Sequence, residues 1–185
     1  VGLTFAPTIS VLTKGQVTVW LLAATVGFVL LIEKRMNYWL AAVCCVILSI
    51  KPQLFYLFWP AAGLWMLSSR QWKLLAFSIC ILLMSMLPVL ALNPAVFSQY
   101  LAAMRAYPAS AWATPTIGAY LRFFWLGETN FWVQYVPGLI CVAWLIIHYQ
   151  KRRRTWKWSE EIPILVLLSL ITSPYAWTYD QVLII

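Results

Sequence analysis

Apolar residues run along this chain in blocks, and the polar residues between them are few enough for each interruption to be read in turn. Residues 17–32 carry no charge and predict a membrane-crossing helix, a little short unless Gln16 or Glu33 lies at an interface. Glu33-Lys34-Arg35-Met36-Asn37 is the first turn. Residues 38–50 are apolar again, but thirteen residues make only roughly 20 Å of helix against a hydrocarbon core of about 30 Å. The interruption is Lys51-Pro52-Gln53, where proline disfavours helical geometry in the lysine before it and removes a backbone donor. Residues 55–67 then resume the apolar run. Two short helices meeting at a turn below the membrane surface fit this pattern, as does one long kinked helix with Lys51 near mid-bilayer. The first is preferred, because irregular backbone at depth is tolerated where it lines a protein cavity and an unpaired lysine there is expensive.

Residues 68–73 form a short polar turn, 74–92 a further span, and 93–130 a long loop with structure of its own. Asn93 can cap a helix with Pro94 at its first position, and Phe97, Tyr100, Leu101 and Met104 recur on one face, as in a helix lying at the membrane interface. Thr114-Pro115 repeats the start signal before Tyr120, Arg122, Phe123 and Phe124. Residues 131–147 span again and lead to Lys151-Arg152-Arg153-Arg154, with Lys157 close behind. Residues 162–172 are only eleven before Ser173-Pro174, and a last apolar run, 182–185, follows Tyr175-Ala176-Trp177-Thr178-Tyr179-Asp180. Twice, then, a short apolar helix ends in a polar residue plus proline, and broken helices are where membrane proteins commonly build sites.

Composition turns this pattern into a class. With 63% hydrophobic and 10% charged residues, the chain lies far from soluble domains, which carry about 25% charge. The expected fold is an all-α multi-pass transmembrane bundle of about six spans plus a truncated seventh, a single membrane domain over residues 1–185. An opening on Val1 and a stop inside an apolar run are expected of a fragment of a longer protein. Residues 1–10 lack the basic region and apolar core of a signal peptide. The net charge of +8 argues topology here rather than nucleic acid. With the basic tract cytoplasmic, nine of the thirteen Lys and Arg face inside and four (Lys14, Lys51, Arg105, Arg122) face outside. Both proline breaks and the long loop then fall on the extracytoplasmic side. Cys44, Cys45, Cys80 and Cys141 all sit in apolar segments without CxxC spacing, so no metal or disulfide framework is expected.

Asp180 is the only aspartate in the chain, and an acid kept beside apolar spans is a functional-site candidate, since such a charge costs roughly 2.5–3.5 kcal/mol on insertion. An outer-face pocket holding lysines, arginines, aromatics and a carboxylate suits an anionic lipid-linked substrate. Lys14, Lys51 and Arg122 can neutralise a phosphate. Trp177 and Tyr179 offer flat faces with a hydrogen-bonding edge, and a carboxylate can orient a hydroxyl or take its proton. Each residue also has a plainer reading: Asp180 as a helix cap or ion-pair partner, Lys51 as a snorkelling anchor, Lys14 and Gln16 as juxtamembrane residues, Glu128 as a solvated loop residue, Trp112 as part of an aromatic belt, His148 as interfacial. There is no GxGxxG, GxxxxGK[ST] or HExxH, so neither a nucleotide cradle nor an acidic metal site is visible and no cofactor is expected.

Gly15-Gln16 before a span, Lys51-Pro52 ending a short helix, Arg70-Gln71-Trp72 at the next turn, and Ser173-Pro174 followed by Trp177, Tyr179 and Asp180 together resemble glycosyltransferase family 87. These are multi-pass GT-C enzymes related to polyprenyl-phosphate-mannose-dependent mannosyltransferases. The resemblance covers most of the chain through motifs of two to four residues. It implies transfer of a hexose, mannose by analogy, from a polyprenyl-phosphate donor to an acceptor hydroxyl on a glycan or lipid, at the outer face, with inversion and without a nucleotide site. It also implies that the principal catalytic aspartate lies in a first extracytoplasmic loop, which would precede Val1. On that reading the catalytic base is not in this sequence, and Gln16, Lys51, Asp180 and their neighbours bind substrate. A carrier or flippase using the same broken helices is the alternative, and a noncatalytic membrane scaffold a third.

Overall fold

The structure is a computed structural model and describes residues 16–34, 37–108, 112, 114–127 and 129–184. Among the described residues every regular element is helical. Helix α1, Thr18–Glu33, packs against α2, Tyr38–Leu48, which starts where the Asn37 side chain accepts the Trp39 N–H at 2.9 Å. The expected interruption follows: Lys51 leaves helical geometry (φ −127°, ψ 72°), Pro52–Phe55 forms one 3-10 turn, and α3 runs Phe58–Ser68. The two halves go to different neighbours, α2 packing on α1 and on α4, Trp72–Leu92, while α3 also meets the later helices α7, Val136–Arg152, and α8, Trp158–Thr172. Helix α3 stops at Arg70, which takes a left-handed φ of 52°, so that the Ser69 and Gln71 N–H groups fold back onto the carbonyls of Trp65 and Met66.

Two helices among the described residues, Trp72–Leu92 and Phe131–Arg152, are long and apolar enough to cross a membrane; Thr18–Glu33 and Tyr38–Leu48 are apolar but shorter. Of α4 only Leu74 is buried, and the rest of its surface presents Ile79, Leu83, Met84 and Leu87, a face suited to lipid. In the long loop, α5 (Val96–Ala106) has no buried residue, and the Asn93 side chain accepts the Ala95 N–H at 3.2 Å. Helix α6 (Ile117–Leu121) is capped by Thr116, whose hydroxyl accepts the Ala119 N–H at 3.3 Å, rather than by Thr114 as the Thr-Pro signal predicts. It continues as a π-helical turn, Arg122–Leu126, ended by Gly127 at φ 83°. A 3-10 segment, Phe131–Tyr135, leads into α7.

Two expectations change. The eleven apolar residues of 162–172 belong to a longer helix, because α8 already starts at Trp158 with Glu160 and Glu161 in its first turn, where acids meet unpaired N–H groups favourably. The stretch expected to open a truncated seventh span has 3-10 rather than α-helical geometry, Thr178–Ile184. The core joins α1, α2, α3 and α8. Phe28 stands edge-on to both Phe58 and Trp158 with ring centres 5.2 Å apart, and Trp65 and Trp156 meet Trp158 in the same manner at 5.6 Å. Each such pair adds about 0.5–1.5 kcal/mol beyond the area it buries. That aromatic wall sits at the Glu33 end of α1, where Glu33 also accepts the N–H (2.8 Å) and hydroxyl (2.6 Å) of Ser159. The opposite end of α1 is left for the polar residues.

Candidate functional site

The two proline breaks meet. Proline at 174 cannot extend α8, and Ser173 turns extended (φ −60°, ψ 151°) as the chain leaves the helix. The Tyr56 hydroxyl lies 2.6 Å from Thr172 Oγ1, and the Leu57 N–H, left without a helical acceptor just before α3, donates to Ser169 Oγ at 3.3 Å. Gly138 lets α7 approach this junction: a Cβ there would stand 3.3 Å from the Thr172 carbonyl oxygen and 3.6 Å from the Tyr56 hydroxyl. The ends of α2 and α8 are thus clamped together, which brings Lys51 and the segment after Pro174 to the start of α1.

Asp180 is the centre of what results. Its carboxylate is 1% exposed, and Lys51 Nζ reaches Oδ1 at 2.8 Å. Thr18 Oγ1 donates to the same oxygen at 3.0 Å, and the Trp177 N–H donates to Oδ2 at 3.1 Å. The Asp180 N–H returns to the Trp177 carbonyl at 2.9 Å, closing a reciprocal turn. Lys51 also donates to Gln16 Oε1 and Thr18 Oγ1, each at 3.4 Å, and lies 4.8 Å above the Tyr179 ring. Burial, and after it the charge of Asp180, push the Tyr179 phenol above its ordinary value, so it stays a neutral hydroxyl at physiological pH. Trp177 stacks on Tyr179 with centres 6.3 Å apart, and Trp112 packs on both Trp177 (5.9 Å) and Tyr175 (5.3 Å).

Of the candidate residues, Gln16, Lys51, Tyr179 and Asp180 converge, and Trp177 adjoins them. Lys14 and Glu128 lie outside the described residues. Arg122 does not join the pair: it is buried elsewhere, 4.4 Å from the Phe123 ring centre and 5.5 Å from that of Phe131. His148 is not a free interfacial ring but sits 2.7 Å from the buried Glu161, stacked on Trp144. The sequence reading missed Thr18 and Gln134. Thr18 looks like the first residue of an apolar helix; nothing local marks it as a ligand of an acid 162 positions away. Gln134, 1% exposed, donates to the Pro174 carbonyl at 2.8 Å and so ties the start of α7 to the same corner. Among the described residues no three His, Cys, Asp or Glu side chains gather as metal ligands.

Chemically, Asp180 is an acceptor already filled. A carboxylate accepting from an ammonium, a hydroxyl and an N–H has little lone-pair capacity left with which to take a proton from an attacking hydroxyl. Lys51 is likewise balanced. What the pair offers is a fixed polar wall beside the Tyr179 ring, on which Trp177 stacks. Beside it opens a cleft of about 520 Å³, lined by Pro52, Tyr56, Trp59, Tyr135, Leu139 and Tyr175 among others.

The sequence model of glycosyltransferase family 87 matches residues 1–174. The chain belongs to that family. The match takes in Gln16, Lys51 and Arg122 and ends at Pro174, before Trp177, Tyr179 and Asp180. No curated protein and no solved structure matches the chain. Membership in family 87 makes this a glycosyltransferase sequence, with a sugar donor and an acceptor as its substrates.

Proposed function

We propose that this family 87 protein is embedded in the cell membrane and moves a hexose, mannose by family analogy, from a polyprenyl-phosphate donor to an acceptor hydroxyl on a glycan or lipid at the extracytoplasmic face. The bond from the sugar C1 to the phosphate oxygen breaks, a bond from C1 to the acceptor oxygen forms, and polyprenyl phosphate leaves. The acceptor's proton goes to a base other than Asp180, because that carboxylate is occupied by Lys51, Thr18 and the Trp177 N–H. The basic tract from Lys151 to Lys157 faces the cytoplasm in this reading. Gln16, Lys51, Tyr179 and Asp180 form the wall of the substrate site, Trp177 supplies a stacking face, and Lys14 serves as a further substrate-binding cation.

The observation that carries this reading is the Lys51 to Asp180 pair at 2.8 Å, with the Tyr179 ring 4.8 Å from the Lys51 ammonium, Trp177 stacked on Tyr179, and a largely apolar cleft lined by Pro52, Pro174 and Tyr175 close by along the chain. Sugars stack on such faces while their hydroxyls meet fixed polar groups, and an isoprenoid chain needs an apolar bed. The test uses the full-length protein in membranes with a polyprenyl-phosphate hexose and acceptor. Lys51→Ala and Asp180→Asn are expected to lower transfer at least a hundredfold while the protein remains inserted in the membrane. Wild-type turnover in both variants would sink the assignment.

A further inference from the structure

Five carboxylates serve thirteen Lys and Arg in this chain. Asp180 holds Lys51, Glu160 holds Lys157 and Arg152, Glu161 holds His148 and Arg152, and Glu33 holds Ser159. Glu128 lies outside the described residues. Arg122 is 1% exposed, yet among the described residues no carboxylate pairs with it, and its Nε and Nη1 find no acceptor. Nor is it alone in this. Thr114 Oγ1 and Gln134 Oε1 are also buried without a partner, so four of the nine such atoms among the described residues fall between positions 114 and 134. The helix that leads to Arg122 packs hard on the segment that carries Gln134: a Cβ on Gly118 would stand 2.5 Å from the Gln134 carbonyl oxygen.

Aromatic faces at 4.4 and 5.5 Å offset part of a guanidinium's lost hydration but accept none of its N–H bonds. Each unmet buried donor costs about 1–3 kcal/mol, and an unpaired buried charge costs more. Against the described neighbours alone, an apolar side chain at 122 would serve folding better. The arrangement is instead complementary to a ligand that brings the missing groups. A guanidinium presents a planar fork to phosphate oxygens, a threonine hydroxyl adds a donor, and the Gln134 carbonyl oxygen needs a donor in return, which a sugar hydroxyl provides. Arg122 also opens a π-helical turn, a distortion frequent at functional sites. Gln134 reaches from this place to Pro174 at 2.8 Å, in the corner that carries Asp180.

We infer that Arg122, with Thr114 and Gln134, is the glycosyl-phosphate subsite of this protein, and that Arg122 rather than Lys51 takes the charge of the donor phosphate. This rests on the proposed use of a lipid-linked phosphate donor. Lys51 cannot add net positive charge while Asp180 sits 2.8 Å away, whereas Arg122 carries a whole uncompensated charge among the described residues. Entry needs the segment Ile117–Leu126 to move outward, and its outer side chains, Tyr120, Phe124 and Trp125, are all more than half exposed.

The test compares binding of farnesyl phosphate and farnesol to the full-length protein in nanodiscs, alongside its melting temperature. Wild type is expected to prefer the phosphate at least tenfold. Arg122→Met should bring the two ligands to parity while melting at the same or a higher temperature, since no described residue compensates the buried charge it removes. Arg122→Lys should keep part of the preference. The double replacement Lys51→Met with Asp180→Leu should keep all of it. A wild-type protein indifferent to the phosphate overturns both this subsite and the lipid-phosphate donor. A wild-type preference that survives Arg122→Met, or that vanishes instead in the Lys51 and Asp180 double variant, overturns the subsite and leaves the donor standing. An Arg122→Met protein that melts lower and still prefers phosphate assigns Arg122 a structural role only.

Discussion

Replacing Asp180 with leucine removes one acceptor group from three donors at once: the Lys51 ammonium at 2.8 Å, the Thr18 hydroxyl at 3.0 Å and the Trp177 N–H at 3.1 Å. Breaking a buried ion pair by deleting one partner costs about 3–5 kcal/mol. Lys51 is 15% exposed and can turn its ammonium partly outward, which places Asp180→Leu near the lower end, at about 3 kcal/mol. Lys51→Met strands a carboxylate that is 1% exposed with only two neutral donors, so its cost is of the same order. The double variant leaves an apolar pair where an ion pair stood, an exchange that is commonly neutral or better. The two changes are therefore expected to couple by roughly 2 kcal/mol or more instead of adding. In thermal unfolding followed by tryptophan fluorescence, each single variant should melt about 6–12 °C below wild type, and the double variant should recover most of that loss. A double variant that melts at the sum of the two single losses would refute the reasoning, because then the partners do not bury each other in the folded protein.

Gly118→Ala should destabilise the long loop by about 1–3 kcal/mol, because the new methyl would lie 2.5 Å from one backbone atom of Gln134 and 2.7 Å from another; an unchanged melting temperature refutes that packing. Glu160 is held below its ordinary value, first by the hydrogen bond from Lys157 and then by that residue's charge, so its contribution is present above the usual carboxylate range and is lost as the pH falls through its folded value. The stability difference between wild type and Glu160→Gln should accordingly shrink between about pH 6 and about pH 3, and a difference constant over that range rules the effect out.

Local chemistry made much of the helical layout legible. The breaks at Pro52 and Pro174 follow from a missing N–H and a steric clash with the preceding residue, both properties of a few neighbouring atoms. The first turn follows from the polar run beginning at Glu33, and the cap at Asn37 from a short side chain bonding its own backbone. The candidates Gln16, Lys51, Tyr179 and Asp180 stood out for a related reason, since polar groups are scarce in an apolar chain and each has to be satisfied somewhere. Where the layout was misread, a longer-range effect intervened. Glu160 and Glu161 look like part of a charged loop until Glu161 meets His148 from α7, and α8 starts at Trp158 because Glu33 of α1 accepts the Ser159 N–H.

The sequence by itself therefore determined an apolar, all-helical chain broken at two prolines, with one aspartate beside the second break. It could not determine partners. Helices that are apolar all round carry no stripe to say which face packs inward, so the register that sets Thr18 and Lys51 against Asp180, across 162 and 129 positions, exists only once α1, α2 and α8 are assembled. The same assembly decided which cation meets an acid among the described residues. As residue types, Lys51 and Arg122 looked alike; packing gave the first a carboxylate at 2.8 Å and surrounded the second with phenylalanine rings.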